Sequence, residues 1–340
     1  MSGLAVFRKM THRSGSLGDR PERGASVGAG LAGGLRWLIL LGLALGLASC
    51  AGAPARDGAK PQVVATTTIV GDVVRQVGGD AIDLTVLLPA GADPHSFQPT
   101  PKDAALLANA DLIFINGLGL ETFMERLVQS SGDRARIVAV SDGVATLAGS
   151  HEHQDEHPAG EAEHQEVDPH VWMDPGNVQV WTGNIAAALS ALDPANASLY
   201  QTNAQRYDAT LQALDAWAEE QIEQIPAEHR RMAVDHQVFD YFARRYGLQI
   251  AGTVASGSSA MSSSSAQGLA TLEDAIRELG VRAVFVGNTV SPTLAEQVAR
   301  DTGVPLVFLY TDSLSAPDGA APTYEALMRT NVNAIVEALR

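Results

Sequence analysis

The chain has 340 residues, of which 46% are hydrophobic, 18% charged and 5% aromatic, and its net charge is −16. That length suits about two domains of roughly 150 residues each, and the composition excludes disordered, collagen-like and coiled-coil classes. A single cysteine excludes an intramolecular disulfide and a Cys-rich metal site, and the acidic balance argues against a nucleic-acid partner, because phosphate backbones need a basic footprint.

The charge is unevenly spread. Residues 1–49 carry six Lys and Arg against two Asp and Glu, a balance of +4, while the remainder carries 17 against 37, a balance of −20. Arg8, Lys9, Arg13, Arg20 and Arg23 precede an apolar run over 35–48, broken by Arg36 and glycines. About thirteen apolar residues are too few for a span that needs about 20, but they fit the core of a signal peptide. The run ends in Leu47-Ala48-Ser49-Cys50, and Cys50 is the one cysteine of the chain. This closely resembles the bacterial lipoprotein signal, which implies removal of 1–49 and a lipid on Cys50. An ordinary cleaved signal with an incidental cysteine is the alternative. Residues 50–60 are small and polar, as a flexible membrane tether requires.

Short β-rich runs follow at 63–70, 83–89, 111–116 and 136–141, then again at 231–235, 248–254, 283–286 and 305–310. Continuous apolar stretches such as LIFI and AVFV predict strands buried on both faces, hence parallel sheets covered by helices. The expected fold class is α/β, with two parallel-sheet lobes over 61–190 and 227–340. Between them, within 191–226, residues 194–225 hold no internal Gly or Pro beyond the opening Pro194, which follows Asp193 as Pro at N1 follows an N-cap. A helix of about thirty residues spans about 45 Å. Its apolar stripe is expected to be Leu199, Tyr207, Leu211, Leu214, Trp217 and Ile222.

Nine histidines are distributed unevenly. His95 and His236 lie just past predicted strands, as does Asp312, and open α/β sheets place ligands at such carboxyl ends. His170 sits in DPHVWMDP. Three imidazoles and one carboxylate drawn from both halves suit tetrahedral Zn²⁺ in a cleft between lobes. Each histidine alone would more often be a structural or surface residue.

DPHSFQPTPKD, DPHVWMDP, DHQVFDYFARRYGL and YTDSL resemble the four signature segments of the zinc and manganese ABC-transporter solute-binding proteins, in order, across 61–340. The resemblance implies two α/β lobes joined by a rigid helix, a metal held in the cleft by His95, His170, His236 and Asp312, and no catalytic residue. Many members of the family, the manganese ones especially, have a ligand glutamate in or near the third segment. Here His236 stands where zinc members have histidine, and the serine-rich stretch 256–265 contains no acidic residue, so the implied cargo is Zn²⁺. The implied partners are a permease and its ATPase on separate chains, consistent with the absence of a P-loop, with the membrane reached through the lipid anchor. A metallochaperone is a further candidate partner, and the chain is expected to act as a monomer outside the cytoplasm or in the periplasm. A manganese-binding homologue is the nearest alternative. A zinc hydrolase is another, although Asp312 would close the position that catalytic zinc keeps for water. A surface adhesion lipoprotein is a third.

Residues 151–166 hold four histidines (His151, His153, His157, His164) and six acidic residues. Such a composition cannot bury a core and predicts a mobile loop with weak, exchangeable metal sites, a solvated acidic loop being the alternative. Asp174 is the expected second partner of a ligating imidazole. Trp172, Phe97 and Phe239 would either wall the site or pack the core, and His12 and His229 read as surface residues.

Overall fold

The computed structural model describes residues 59–124, 136–149, 167–255 and 265–340. The signal segment, Cys50, most of the tether, the histidine-rich run 151–166 and the serine-rich stretch 256–264 lie outside the described residues.

Among the described residues, eight strands form where apolar runs predict them, in two four-stranded sheets. The first contains β1 (Gln62–Ala65), β2 (Asp83–Val86), β3 (Leu112–Ile115) and β4 (Arg136–Ala139), in the order β2-β1-β3-β4. The second contains β5 (Arg231–Val234), β6 (Gln249–Thr253), β7 (Val284–Gly287) and β8 (Leu306–Leu309), in the equivalent order β6-β5-β7-β8. Every pairing is parallel. The central strands carry the LIFI and VFVG runs and are buried on both faces, as parallel sheets require.

Alternation along each strand sorts its side chains between two clusters. Val63, Ala65, Leu112 and Phe114 join Met232, Val234, Ala283 and Phe285 in one core. Val64 and Ile113 face a separate cluster under α2 (Pro101–Asn109). Ala233, Val284 and Val286 face another, under α6 (Ala266–Leu279) and α7 (Thr293–Thr302). The shared core also takes in α1 (Thr68–Gly78), α3 (Pro175–Leu192), α4 (Ala197–Ile222), α5 (Asp240–Tyr246) and α8 (Tyr324–Leu339). Among the described residues, no helix is long and apolar enough to cross a membrane.

Three expectations are corrected. The strand expected over 63–70 closes at Ala65, because the Thr67 hydroxyl accepts from Val70 N and caps α1, drawing Ile69 and Val70 into the helix. The long helix expected from Pro194 begins at Ala197, after a 3₁₀ turn over Pro194–Asn196. The Asp193 carboxylate accepts from Asn196 Nδ2 at 2.7 Å and from the Tyr200 hydroxyl at 2.8 Å, at the turn rather than at the first residue of the long helix. The apolar stripe is rotated at its start, so Leu199 is 43% exposed and Tyr200 is buried in its place. Trp217 is only partly buried, with the Arg329 guanidinium 4.6 Å above its ring. At 26 residues, α4 is about 39 Å long at 1.5 Å per residue. It packs along α3 and also meets α1 and α8, so the two sheets share one helical spine.

Leu211 is fully buried in that spine. Leu211→Ala should therefore cost about 2–5 kcal/mol of unfolding free energy, against about 0.5 kcal/mol or less for Leu199→Ala. Urea denaturation of the two variants measures the contrast, and equal losses would contradict the observed helix rotation.

Candidate metal centre

Four side chains meet where loops leave the two sheets. His95 lies in the loop between β2 and α2, whose far end is fixed by a capping box: Thr100 Oγ1 accepts from Asp103 N, and Asp103 Oδ2 accepts from Thr100 N. His170 precedes the short turn Val171–Met173. His236 lies two residues past β5 and Asp312 three past β8. One nitrogen or oxygen from each of His95, His170, His236 and Asp312 lies within 4.8 Å of all the others. His170, His236 and Asp312 are buried, and His95 is partly buried.

The shortest separations approach those around a small tetrahedral cation. Nε2 of His95 is 3.1 Å from Nε2 of His170. His170 Nε2 is 3.7 Å from Asp312 Oδ1, and His236 Nε2 is 3.6 Å from Asp312 Oδ2. Ligands about 2.0–2.1 Å from a tetrahedral Zn²⁺ stand about 3.3 Å apart. His236 Nε2 and Asp312 Oδ1 are buried with no hydrogen-bond partner, an arrangement costly for a protein unless a cation meets them.

Carboxylates behind the ligands orient them. Asp168 Oδ1 accepts from His170 Nδ1 at 2.7 Å and from His170 N at 3.0 Å. With Nδ1 donating, His170 presents the Nε2 lone pair to the centre. Asp235 Oδ1 accepts from His236 N at 2.9 Å and lies 3.2 Å from His236 Nδ1. Its Oδ2 accepts from Gly287 N at 2.9 Å, a contact that needs glycine, since an added Cβ would collide with Thr311 Oγ1 and press on Asp235. Asp312 Oδ2 accepts from Thr289 Oγ1 at 2.9 Å and Thr311 Oγ1 at 2.8 Å. Two donors on Oδ2 leave Oδ1 as the oxygen available to a cation.

Burial and charge divide the histidines. Burial holds His170 well below the ordinary imidazole value and lowers His95 as well. Burial also disfavours the His236 cation, but Asp235, followed by Asp312, outweighs it and raises that pKa to about 9. Burial raises Asp168 to about 6 despite its bond to His170 N. Asp312 is held below the usual carboxylate range, because the surrounding imidazoles overcome its burial.

Thus the structure gathers all four residues singled out as ligands. The expected role of Asp174 is corrected: it caps α3 by accepting from Gly176 N, and Asp168 orients the imidazole instead. Asp168, Asp235, Thr289 and Thr311 were not anticipated. An aspartate two residues before His170 and one immediately before His236 were the available signals. Trp172 does wall the site, with its ring 5.3 Å from His170 and its indole nitrogen donating to Thr311 O at 2.9 Å. Phe97 packs instead on Phe123, and Phe239 on Phe242. His229 is at the surface against Arg282. His12, His151, His153, His157 and His164 lie outside the described residues.

The model of the family described as "Zinc-uptake complex component A periplasmic" (ZnuA) matches residues 63–338. The chain is 31% identical over 316 residues to the manganese ABC transporter substrate-binding lipoprotein PsaA of Streptococcus anginosus, covering 89% of this chain and 97% of that protein. It is 34% identical over 286 residues to the iron-binding protein YfeA of Yersinia pestis, covering 84% and 88% respectively. The structure of the periplasmic zinc binding protein TroA of Treponema pallidum superposes with a TM-score of 0.74 at 28% identity, covering 83% of this chain and 99% of that one. With that match over residues 63–338, a spine shared by two parallel sheets and a His₃Asp cluster with three buried members, this protein belongs to the ZnuA family of metal ABC-transporter substrate-binding proteins, extracytoplasmic carriers that hold a metal and are not enzymes.

Proposed function

We propose that this chain captures Zn²⁺ outside the cytoplasm through His95, His170, His236 and Asp312 and delivers it to an ABC permease driven by a separate ATPase chain. The observation that carries the choice of zinc is the state of Asp312. Its Oδ2 is already committed to two threonine hydroxyls, which leaves one carboxylate oxygen beside three imidazole nitrogens. A four-coordinate set of three nitrogens and one oxygen suits Zn²⁺, whereas Mn²⁺ favours more oxygen ligands and higher coordination. The manganese reading draws on the name of PsaA and would need further oxygen ligands, from the second oxygen of Asp312 or from water.

In the same reading, residues 1–49 are removed, Cys50 carries the lipid and 50–60 form the tether. The lobes 61–190 and 227–340 present the metal, and 191–226 join them. The histidine-rich run 151–166 gathers metal through His151, His153, His157 and His164 near the point where the chain enters the site. The described residues on either side of that run are held together: Ala148 pairs with Val167, three residues before His170, and Tyr241 accepts from Leu147 N while donating to Asp168 O.

Competition titration of the purified protein should show Zn²⁺ displacing Mn²⁺ by several orders of magnitude. His236→Ala should destroy the tight site and leave weak binding. Deleting residues 152–163 should do the reverse, keeping one tight site and losing the weak ones. A preference for Mn²⁺ would refute the zinc assignment, and loss of the tight site on deletion would make the loop the primary receptor.

Metal binding should also release protons. At pH 7 His236, with its pKa raised to about 9, is protonated before the metal arrives and must become neutral to bind. About one proton should therefore appear per Zn²⁺ at pH 7, and apparent affinity should fall about tenfold per unit as pH drops below about 9. Calorimetry in buffers of differing ionisation enthalpy measures the number. Release of no proton would place a neutral His236 in the metal-free protein.

Cys50→Ala should move the protein from the membrane pellet to the soluble fraction, because stable anchoring needs more than one acyl chain and all would be lost together. A variant that stayed in the pellet would place the anchor elsewhere.

A further inference from the structure

The turn carrying Asp312 is bound to the loop carrying His95 by hydroxyl groups that belong to no ligand. Ser313 Oγ accepts from Gly91 N at 2.8 Å and lies 3.0 Å from Leu314 O and 3.2 Å from Thr68 Oγ1. Thr68 Oγ1 in turn accepts from Leu314 N at 2.8 Å. One assignment of protons satisfies every atom. Thr68 donates to Ser313 while accepting from Leu314 N, and Ser313 accepts from Gly91 N and Thr68 while donating to Leu314 O. Ser313 is 1% exposed, so these bonds are shielded from competition by water.

The placement of Gly91 gives the network its significance. Gly91 stands four residues before His95, in a turn closed by Ala92 N donating to Pro89 O, and its φ of +82° is a conformation that glycine tolerates. The bonds around Asp93 are local, His95 N donating to Asp93 Oδ1 and Ser96 Oγ to Asp93 Oδ2, while the His95 ring itself meets His170 at Nε2. The bond to Ser313 reaches the other half of the ligand set. His170, by contrast, is held through Asp168 and through the tie from Trp172 to Thr311. His95 is also the least buried of the four, and so the first that can leave.

We propose that Ser313, Thr68 and the Gly91 amide form a clasp that sets the rate of metal release. Building on the assignment of the four ligands, the clasp has to open before His95 can withdraw from Asp312, so it governs how long the ion is retained. It leaves the chemistry of coordination unchanged. Ser313 and Thr68 are positioning residues, acting on the metal through the His95 loop.

Stopped-flow dissociation of Zn²⁺ from the full chain into excess chelator tests this. Ser313→Ala and Thr68→Val should each release Zn²⁺ at least tenfold faster, with the association rate changed less than twofold. Thr68→Ser, which keeps the hydroxyl, should restore the slow rate. The double variant should be no more than twofold faster than Ser313→Ala, because both changes break the same link. Dissociation within twofold of the parent in both single variants would overturn the clasp. So would equal changes in association and dissociation that Thr68→Ser fails to rescue, which would mark a general loss of structure. If Ser313→Ala fails to fold, the Thr68→Val and Thr68→Ser pair decides alone. His236→Ala separates the two levels: if it retains tight Zn²⁺, the ligand assignment is at fault, and if it loses it while the clasp variants release normally, only the clasp is.

Discussion

Three imidazoles gathered around one point do not hold one another there, since neutral rings attract weakly and protonated ones repel. Something behind each ring has to fix its direction, and at His170 and His236 that is a buried aspartate. Asp168 takes the Nδ1 proton of His170, and Asp235 sits against Nδ1 of His236. Each aspartate also accepts the backbone N–H of the histidine it serves, so main chain and ring are oriented together. Buried carboxylates need donors, and much of the surrounding structure supplies them or fixes their position.

This requirement links the site to the sheets. In an open parallel sheet with the order β2-β1-β3-β4, the crossovers diverge between β1 and β3, which leaves a crevice at the carboxyl ends. In each sheet a carboxylate bridges it. Glu121, 5% exposed, accepts from Thr66 Oγ1 past β1 and from Asn116 N past β3. Asn116 Nδ2 then donates to Pro169 O, the residue before His170. In the second sheet, Asp235 past β5 accepts from Gly287 N at the end of β7. The two sheets therefore use the same device, one acting on His170 through an intervening asparagine and the other acting on His236 directly.

The strands and the four clustered side chains were readable from the chain because their signals are local. LIFI and AVFV announce doubly buried strands, and His95, His170, His236 and Asp312 fall within recognisable segments. The start of α4 was not, because Asp193 before Pro194 has the composition of a cap, and only the folded chain brings Tyr200 and Asn196 to its carboxylate. The rotation that buries Tyr200 and exposes Leu199 depends on which neighbours reach the helix, and hydrophobicity alone ranks the two residues wrongly. For the same reason Asp174 was the plausible orienting acid, since it lies as close in sequence to His170 as such a partner needs to be. The helix that starts at the next residue claims it, through Gly176 N. Thr289 and Thr311 carry no signal at all until β7 and β8 are adjacent.

The C-terminal helix α8 has a consequence for fragments of the chain. It runs from Tyr324 back across the first sheet's helices: Tyr324 N donates to Asp72, and the Tyr324 hydroxyl donates to Trp172 O, two residues beyond His170. The cluster therefore depends on residues at both ends of the folded region: it lacks a member in any fragment that stops short of Asp312, and in one that stops short of Tyr324 the main chain beside His170 loses its clamp.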